Sequence, residues 1–540
     1  MRFRRGLDAP LGRLKKERFR VMLLPDDASR HLRAAPDTRR SDRRTRTPAT
    51  RSVAVAVVGA MLLWIPLRLE ATPAAAADRF TQADESPRLE LRGLGVSMSP
   101  PADVAWRIEL REDGRPRAFV ARPVPSPAWT ATVEPFEAGS ELPEPAAIDE
   151  AIAYLPSLRE SDAEFTILEN RAMQLGDATG HLLLLEVPLP KASAVDSGDV
   201  ASGSAITGFL IVPRGARSFL AVRISAETQR FPSSSRELLS MLESVRVRTL
   251  EDQAAWERSL LDGGRGRLAS FARARLAAAA DGETRWFRVH RPATGEQPPR
   301  EIGSLAIRAA PAPRGMLDPA RDPESLRTAE RESGVLLTVE GRMLPPETVA
   351  GESRERLDLS MRAWTSLDLD SEAWSLRQSI RDPDRRGAPP TIAETGIRSA
   401  PRPGQPRPVL EVVEASRESM SRTPQRWTLG GEPHLGQVES ALLGALLAPV
   451  DAPVDLAWQH YDRNLGAVVR RLDEVRPLPD TDGEFLVRTL VHPDDPNPIV
   501  QRFDREGRLL KRVDADGTIT ESIEAEDLRR LWERRRLPLD

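Results

Sequence analysis

The feature that most constrains this chain is a run of sixteen uncharged residues, 52–67, the only such run in the sequence. As a helix it would span about 24 Å, short of the ~30 Å hydrocarbon core of a bilayer. It therefore fits the apolar region of a signal peptide slightly better than a membrane span, and small residues before Asp78 offer a cleavage site near Ala77. We expect either a secreted protein cleaved near Ala77 or a protein anchored in the membrane through residues 52–67.

The charges around this run predict its orientation. Residues 1–51 contain 16 Lys and Arg against 6 Asp and Glu, whereas the rest of the chain contains 62 against 75. A positive flank stays in the cytoplasm, so the bulk of the chain is expected in the periplasm or outside the cell. A 51-residue leader is long for a cleaved signal peptide, which favours an anchor or a later translation start. We interpret residues 1–51 as a basic, disordered leader that serves topology, and residues 68–87 as a linker; we expect no nucleic-acid binding.

Missing residue types and motifs exclude many functions. The 540 residues contain no cysteine, which excludes disulfide scaffolds, thiolate metal sites, thiol catalysis and a lipoprotein anchor. The sequence also lacks Gly-x-Ser-x-Gly, a phosphate-binding P-loop and His-Glu-x-x-His. We therefore predict no enzyme, no cofactor, and no catalytic, cofactor-binding or metal-binding residue. An enzyme with an unrecognised site is the alternative; it would require His460 or His492 to meet acids from other strands.

Residues 88–250 are predicted to form an α+β domain. Short β-forming runs alternate with turn residues at 95–98, 118–124, 129–136, 165–168, 181–187, 206–212 and 219–224. Helices are predicted at 147–155, ending at Pro156, and from Ser234, which has capping-box spacing with Glu237. Connections of hairpin length favour an antiparallel sheet with the helices packed on it.

This order of elements resembles the PsbP fold of photosystem extrinsic subunits and of many exported bacterial proteins. The features that carry the resemblance are the sequence GVSMSP at 95–100 leading to Trp106, the helix in the middle of the domain, and the terminal helix ending in LESV at 242–245. They cover roughly 160 residues. The resemblance implies a fold and no functional residue.

Residues 251–281 are predicted to be a helical connector. Within it, Gly264, Gly266 and Ala269 have the spacing of a dinucleotide-binding fingerprint. That fingerprint requires a preceding strand, whereas the residues before Gly263 are predicted to be helical. We interpret the glycines as a flexible break between two helices.

Residues 282–540 are predicted to form a β-rich antiparallel domain with few helices. Candidate strands lie at 286–290, 302–308, 335–342, 356–364, 373–380, 409–415, 454–461, 467–472, 485–491, 499–503, 509–513 and 518–523. Asp482-Gly483, Glu506-Gly507 and Asp516-Gly517 are turn signals. The segment 381–408 is rich in Pro, Arg and Gly and is predicted to be a loop. Helices are predicted at 435–447 and 524–535.

Long antiparallel runs with one apolar helix between them are similar to the LolA/LolB carriers. In those proteins a curved half-barrel holds acyl chains over a helix. The matching piece is the helix at 439–447 followed by the strands from 454 to 523. The resemblance implies a hydrophobic concave face; a solid sheet covered by helices is the alternative.

Three groups of residues were weighed as sites. His492, Asp494 and Asp495, with Asp504 across a hairpin, have the side chains of a divalent metal site, but the prolines at 493 and 496 indicate an ordinary polar loop. The sequence DADG at 514–517 is interpreted as a β-turn rather than a calcium loop. Six tryptophans could line a ligand groove but are interpreted as core residues: Trp106, Trp129, Trp286, Trp364, Trp427 and Trp458.

These observations predict an exported or anchored bacterial envelope protein with a non-enzymatic binding or structural role. Its partner would be an envelope protein or an apolar ligand. A single-span signalling component, with residues 1–51 as a cytoplasmic tail and the exported domains as a sensor, is the alternative.

Overall fold

The computed structural model describes residues 88–101, 104–110, 116–123, 128–137, 165–188, 204–215, 217–271, 273–293, 299–345, 355–382, 389–401, 406–416, 424–463, 465–491, 493–494, 498–535 and 537. The leader, the apolar run at 52–67, the linker and the helix predicted at 147–155 lie outside these ranges. Among the helices that are described, none combines the length and the apolar character needed to cross a membrane.

A seven-stranded antiparallel sheet forms the centre of residues 88–249, in the order β3-β4-β5-β9-β8-β7-β6. Its strands are β3 (Val104–Leu110), β4 (Pro116–Pro123), β5 (Trp129–Glu137), β6 (Thr166–Leu175), β7 (Ala178–Pro188), β8 (Ser204–Pro213) and β9 (Ser218–Glu227). A small second sheet has the order β1-β2-β10, with β1 (Leu89–Leu91), β2 (Val96–Met98) and β10 (Arg246–Val247). Every predicted strand of this region that lies in the described residues overlaps one of these.

Helix α1 (Phe231–Glu243) covers the seven-stranded sheet through Leu238, Met241 and Leu242, which are buried in one cluster with residues of β5, β8 and β9. The predicted capping box is wrong. The helix begins at Phe231 with Pro232 in its first turn, and Ser234 is buried inside it. Proline is favoured in the first turn of a helix because its fixed φ is already helical and its missing N–H would form no intrahelical hydrogen bond there.

Helices α2 (Leu250–Ser270) and α3 (Arg273–Ala279) form the predicted connector. The flexible break predicted at the glycines is wrong, since α2 runs through them without interruption and the chain changes direction only after Ser270. Gly264 has a packing role instead: a Cβ at this position would collide with the carbonyl oxygen of Ala457. The glycine therefore allows α2 to lie directly on a strand of the following sheet, where Leu260 and Leu261 pack against Ala457 and its neighbours.

The remaining residues form one antiparallel sheet of fourteen strands. The strands are β11 (Thr284–Arg291), β12 (Arg300–Pro313), β13 (Ser333–Met343), β14 (Arg356–Ser366), β15 (Glu372–Arg381), β16 (Thr391–Ser399), β17 (Val409–Ser416), β18 (Gln425–Thr428), β19 (Val454–Asp462), β20 (Ala467–Pro477), β21 (Phe485–Leu490), β22 (Ile499–Phe503), β23 (Leu509–Val513) and β24 (Ile519–Ile523). Neighbours in sequence are neighbours in the sheet, and β24 pairs with β11, so that β18 and β19 are the two edges.

The sheet curves so strongly that its two halves contact each other. Tyr461 on β19 packs against Trp374 on β15 and Trp427 on β18, with ring centroids 5.7 and 5.6 Å apart. The segment between the edge strands contains helices α4 (Gln437–Ala441) and α5 (Leu443–Leu447) and packs in the same core cluster as both halves. The sheet therefore wraps around these helices.

Two predictions for this region change in detail, and a third is confirmed. The segment 381–408, predicted to be a loop, contains strand β16, the third strand from the β18 edge of the sheet. The helix predicted at 435–447 is divided into α4 and α5 at Leu442. The terminal helix is confirmed as α6 (Ala525–Arg535), which buries Leu528 and Trp532. The chain is thus a strand-rich α+β protein with antiparallel sheets.

Candidate functional site

The inside of the curved sheet contains an open cavity of about 620 Å³, here called the outer cavity. It lies between α3, the helices α4 and α5, and the turn that joins β22 to β23. Its apolar surface includes Phe287, Ile307, Leu442, Phe503 and Leu509. Pockets of this size and composition are typical of small-molecule binding sites.

Four arginines line the outer cavity as well: Arg275, Arg285, Arg505 and Arg508. Three of them are paired with nearby carboxylates, for example Arg508 with Asp504 at 2.6 Å. Arg275 instead donates to the backbone carbonyl of Ala448. Burial, together with the neighbouring Arg267, lowers the pKa of Arg275. The surface of the cavity therefore combines apolar side chains with charged groups, and most of these charges are compensated.

A smaller cavity of about 90 Å³, the inner cavity, adjoins the outer one, because Ile307, Ala441 and Leu509 line both. Its two walls differ in chemistry. Strands β12, β13 and β14 supply the apolar side chains Leu305, Ile307, Leu337, Val339 and Met361. Helix α4 and strands β19 to β24 supply polar ones: Gln437, Ser440, His460, Arg471, Thr489, Gln501, Arg512 and Thr520.

His460 is 1% exposed and contributes a single free nitrogen to the inner cavity. Its Nδ1 lies 3.1 Å from the carbonyl oxygen of Leu435, which can only accept a hydrogen bond, so Nδ1 carries the proton. Burial, reinforced by Arg471, lowers the pKa of His460 to about 3, and the ring is neutral. Nε2 is then a lone-pair acceptor, and it has no partner within the described part of the chain.

Arg471 is held in place by Asp473 on the same strand. Asp473 is completely buried and accepts from Nε and Nη2 of Arg471 at 2.9 and 3.0 Å, from Trp458 Nε1 at 2.6 Å and from the hydroxyl of Thr489. Nη1 of Arg471 donates to Ser440 on α4 at 2.6 Å. The network fixes the helix against β20 and leaves the positive charge of Arg471 compensated.

A second buried network lies beside the first, around Glu372 on β15. The carboxylate accepts from His434 Nε2 at 2.9 Å and from the backbone of Gln437 at 3.1 Å, and Arg398 Nε lies 3.3 Å away. Burial alone would raise the pKa of Glu372, but Arg398 and His434 outweigh it and hold the value at about 2. Burial lowers the pKa of His434, so Glu372 is the charged member of that pair.

Glu439 on α4 faces Glu372 across Gly436. A Cβ on Gly436 would collide with one oxygen of each carboxyl group, so both occupy the space that a side chain would fill. Burial and the charge of Glu372 raise the pKa of Glu439. One oxygen of Glu439 accepts from Thr365 at 2.7 Å and the other has no partner in the described residues. Ionisation is therefore disfavoured at Glu439 and favoured at Glu372.

The described members of the candidate metal site, Asp494 and Asp504, bind backbone N–H groups. His492 and Asp495 lie outside the described residues. Asp494 accepts the backbone N–H of Gly93 at 2.5 Å, which joins the loop after β21 to the turn after β1. Asp504 accepts two backbone N–H groups of its own turn, from Glu506 and Arg508. In the described ranges, no three His, Asp or Glu side chains are grouped so that they could hold a metal ion.

Asp494 gives a prediction for pH. Burial raises its pKa to about 7, although the N–H groups of Gly93 and Leu94 oppose the shift. The folded state therefore retains a proton that the unfolded state releases, and this group's contribution to stability falls as the pH rises from about 4 through 7. Asp494→Asn keeps an acceptor for Gly93 and removes the charge.

We expect the melting temperature of Asp494→Asn, relative to the unchanged protein, to increase between pH 5 and pH 8. The free-energy difference should change by about 2–4 kcal/mol over that interval. Thermal melting followed by circular dichroism at several pH values measures it. Parallel curves for the two proteins would contradict the assignment.

The other two candidate groups from the sequence are the turn at 514–517 and the six tryptophans. Residues 514–517 form a turn in which Asp516 accepts the backbone N–H of Thr518 at 3.0 Å, as predicted. Trp129, Trp364 and Trp458 are buried core residues, whereas Trp286 is 38% exposed. None of the six candidate tryptophans lines the inner or outer cavity.

The polar wall of the inner cavity was missed by sequence reasoning, apart from His460 as a possible member of a site. One feature of the sequence could have indicated this polar wall. Strand β20 reads VVRRLDEV at 468–475, and four charged residues in and just after the strand predicted at 467–472 indicate an interior that is not purely apolar.

Searches for known relatives by sequence found no match: no protein-family model and no curated protein matches this chain. Solved structures match part of it. The cyanobacterial PsbP (CyanoP) of Synechocystis sp. PCC 6803 covers 31% of this chain and 96% of its own, at 12% identity and a TM-score of 0.23. The Ran-binding protein Mog1p of Saccharomyces cerevisiae covers 31% and 98%, at 12% identity and a TM-score of 0.23.

LpqN, described as involved in cell envelope biogenesis of Mycobacterium tuberculosis, covers 28% of this chain and 83% of its own. The identity is 12% and the TM-score 0.19. Each of these matches covers about a third of this chain or less, with TM-scores of 0.19 to 0.23.

Proposed function

We propose that this chain is a non-enzymatic binding protein of the bacterial cell envelope, and that its curved sheet holds a mainly apolar small molecule. The observation that carries the proposal is the outer cavity, about 620 Å³ with an apolar surface that includes Phe287, Leu442 and Phe503. A neutral, elongated, apolar molecule suits this space because it would replace water against apolar side chains.

The proposal includes the finer assignment of the two folded regions. Residues 88–250 are taken as a PsbP-like domain and residues 282–540 as a LolA/LolB-like half-barrel. The curvature of the fourteen-stranded sheet around α4 and α5 supports the second assignment. The solid, helix-covered sheet that was the alternative would leave no cavity between the sheet and these helices.

A binding role is favoured over catalysis by the state of the polar groups inside the sheet. Arg471 is bound to Asp473, and Glu372 to His434 and Arg398, so these charges already have partners. Among the described residues, His460 forms its hydrogen bond with Leu435 rather than with an acid, and the charge that acts on it most strongly is the cation Arg471, ahead of Glu372. These networks hold the helices in place and frame the cavity.

Envelope localisation remains a proposal based on residues 52–67 and the basic leader. Mass spectrometry of the native N-terminus distinguishes the two routes. A chain that starts near Asp78 is secreted to the periplasm, whereas an intact chain in the membrane fraction is anchored.

A bulky side chain introduced into the cavity tests whether the cavity binds an apolar ligand. Ala441 lines both cavities and is exposed at the end of α4, so Ala441→Trp introduces an indole at their junction with little effect on the core. We expect the full-length chain to bind N-phenyl-1-naphthylamine, a neutral apolar dye that fluoresces in apolar sites. The variant should bind it about tenfold more weakly or worse.

The matched control is Ala255→Trp, the same exchange at an exposed position of α2 outside both cavities. It should leave dye binding unchanged. Absence of dye binding by the unchanged protein would overturn the proposed function. Equal binding by Ala441→Trp would show that the dye binds elsewhere and would also count against it.

A further inference from the structure

Three residues that line the inner cavity have a buried polar atom that makes no hydrogen bond in the described residues. One of these atoms, Nη2 of Arg512, lies 2.6 Å from Asp514 as an ion pair, and the other two have no partner in that part of the chain. Besides Nε2 of His460, Oγ1 of Thr520 on β24 has no partner in the described residues, and Thr520 is 3% exposed. Both residues line the same cavity. A buried polar atom without a partner costs about 1–3 kcal/mol, so two such atoms facing one space indicate that a ligand group or water satisfies them there.

The two atoms define what that group must offer. Nε2 of His460 can only accept, because Nδ1 carries the ring proton and donates it to Leu435. The hydroxyl of Thr520 can donate or accept. A hydroxyl group matches either atom, since it can donate to the imidazole and accept from the threonine.

Charge in the inner cavity does not favour an anion. Arg471 is paired with Asp473, and Arg512 with Asp514 at 2.6 Å. Four of the five N–H donors of Arg471 are already used: those on Nε and Nη2 reach Asp473 and Thr489, and one on Nη1 reaches Ser440. A ligand carboxylate beside His460 would be repelled, because Nε2 presents a lone pair and has no proton to donate.

The outer cavity determines the rest of the ligand. It adjoins the inner cavity at Ile307, Ala441 and Leu509 and has an apolar surface. A molecule that places a polar end in the inner cavity must therefore pass an apolar body through the junction into the outer one.

We propose that the site selects a neutral lipid with a terminal hydroxyl group, a long-chain alcohol or a hydroxylated lipid, whose hydroxyl binds His460 and Thr520 and whose hydrocarbon chain fills the outer cavity. This inference rests on the proposed function and names the class of ligand that the same site takes. It assigns His460 and Thr520 as the residues that determine specificity.

The test measures displacement of N-phenyl-1-naphthylamine from the full-length chain at pH 7.5 by three ligands of equal chain length: 1-decanol, 1-methoxydecane and decanoate. 1-Decanol should displace the dye at about fivefold lower concentration than 1-methoxydecane, the factor expected for one net hydrogen bond. Decanoate, which is ionised at this pH, should be the weakest of the three.

Two variants separate the contributions of the two residues. Thr520→Val is isosteric and removes a buried hydroxyl that has no partner, so the fold should be retained or stabilised. 1-Decanol and 1-methoxydecane should both bind more weakly to it, because each can accept from Thr520, and the preference for 1-decanol should be kept because it arises at His460. His460→Gln keeps a side chain with both donor and acceptor groups and should retain part of the preference. The control is Thr338→Val on β13, a strand that presents Leu337 and Val339 to the cavity on either side of this residue; it should leave the binding of both ligands unchanged.

The possible failures are distinguishable. If the unchanged protein does not bind the dye, the proposed function fails. If it binds the dye but 1-decanol and 1-methoxydecane compete equally, water alone satisfies the two atoms and the ligand class is wrong. Stronger competition by decanoate, or undiminished binding of both 1-decanol and 1-methoxydecane by Thr520→Val, would also overturn the inference.

Discussion

Replacing Asp473 with leucine is expected to lower the free energy of unfolding by about 3–5 kcal/mol, the largest effect that we anticipate for one substitution. The reason is that the positive charge of Arg471 would remain buried without its partner. Arg471 is only 4% exposed, and without Asp473 its guanidinium has hydroxyl partners alone, at Ser440 and Thr489. The indole N–H of Trp458 also loses its acceptor. Chemical denaturation followed by circular dichroism measures the change.

Two control variants separate charge from packing. Asp473→Asn keeps an acceptor for Trp458 and should cost less than the leucine variant. The double variant Arg471→Met, Asp473→Leu removes both charges and should recover part of the loss, because a buried pair replaced by apolar residues is often tolerated. If the double variant is as unstable as the sum of the single ones, Arg471 and Asp473 are not coupled and the network described here is incorrect.

The strands of the large sheet were predictable because their signals are local. Alternating apolar residues and turn dipeptides define most of them, and Gly483, Gly507 and Gly517 have the positive φ that the predicted turns require. Strand β16 was missed for the same reason. Its neighbours are rich in Pro, Arg and Gly, and its buried residues include Glu394 and Arg398, so the local pattern is that of a loop.

The candidate site was not predictable from the sequence because its pairs are distant along the chain. Glu372 meets His434, 62 residues away, and Glu394 accepts from Tyr461, 67 residues away. Each of these residues is polar and suggests the surface when considered alone. Only the curvature of the sheet, which brings β15 and β16 to β19, makes them interior residues.

The two glutamates that face Gly436 provide the last prediction, because the same substitution should have unequal effects at the two positions. Glu372→Gln removes the charge that compensates Arg398 and should lower the free energy of unfolding by about 2–4 kcal/mol. Glu439→Gln replaces a carboxyl group whose ionisation is disfavoured by burial and by the charge of Glu372, and should change stability by less than about 1 kcal/mol. Denaturation of both variants at pH 7 measures this contrast.

The pH dependence of Glu372→Gln follows from the pKa of about 2 in the folded state, below the ordinary value of 4.5. The stabilisation by Glu372 is fully present above about pH 4.5 and is lost as the pH falls toward 2. The difference between Glu372→Gln and the unchanged protein should therefore shrink on acidification. Equal effects of the two substitutions at pH 7 would mean that the negative charge is shared evenly, and that Arg398 and His434 do not select Glu372 as its carrier.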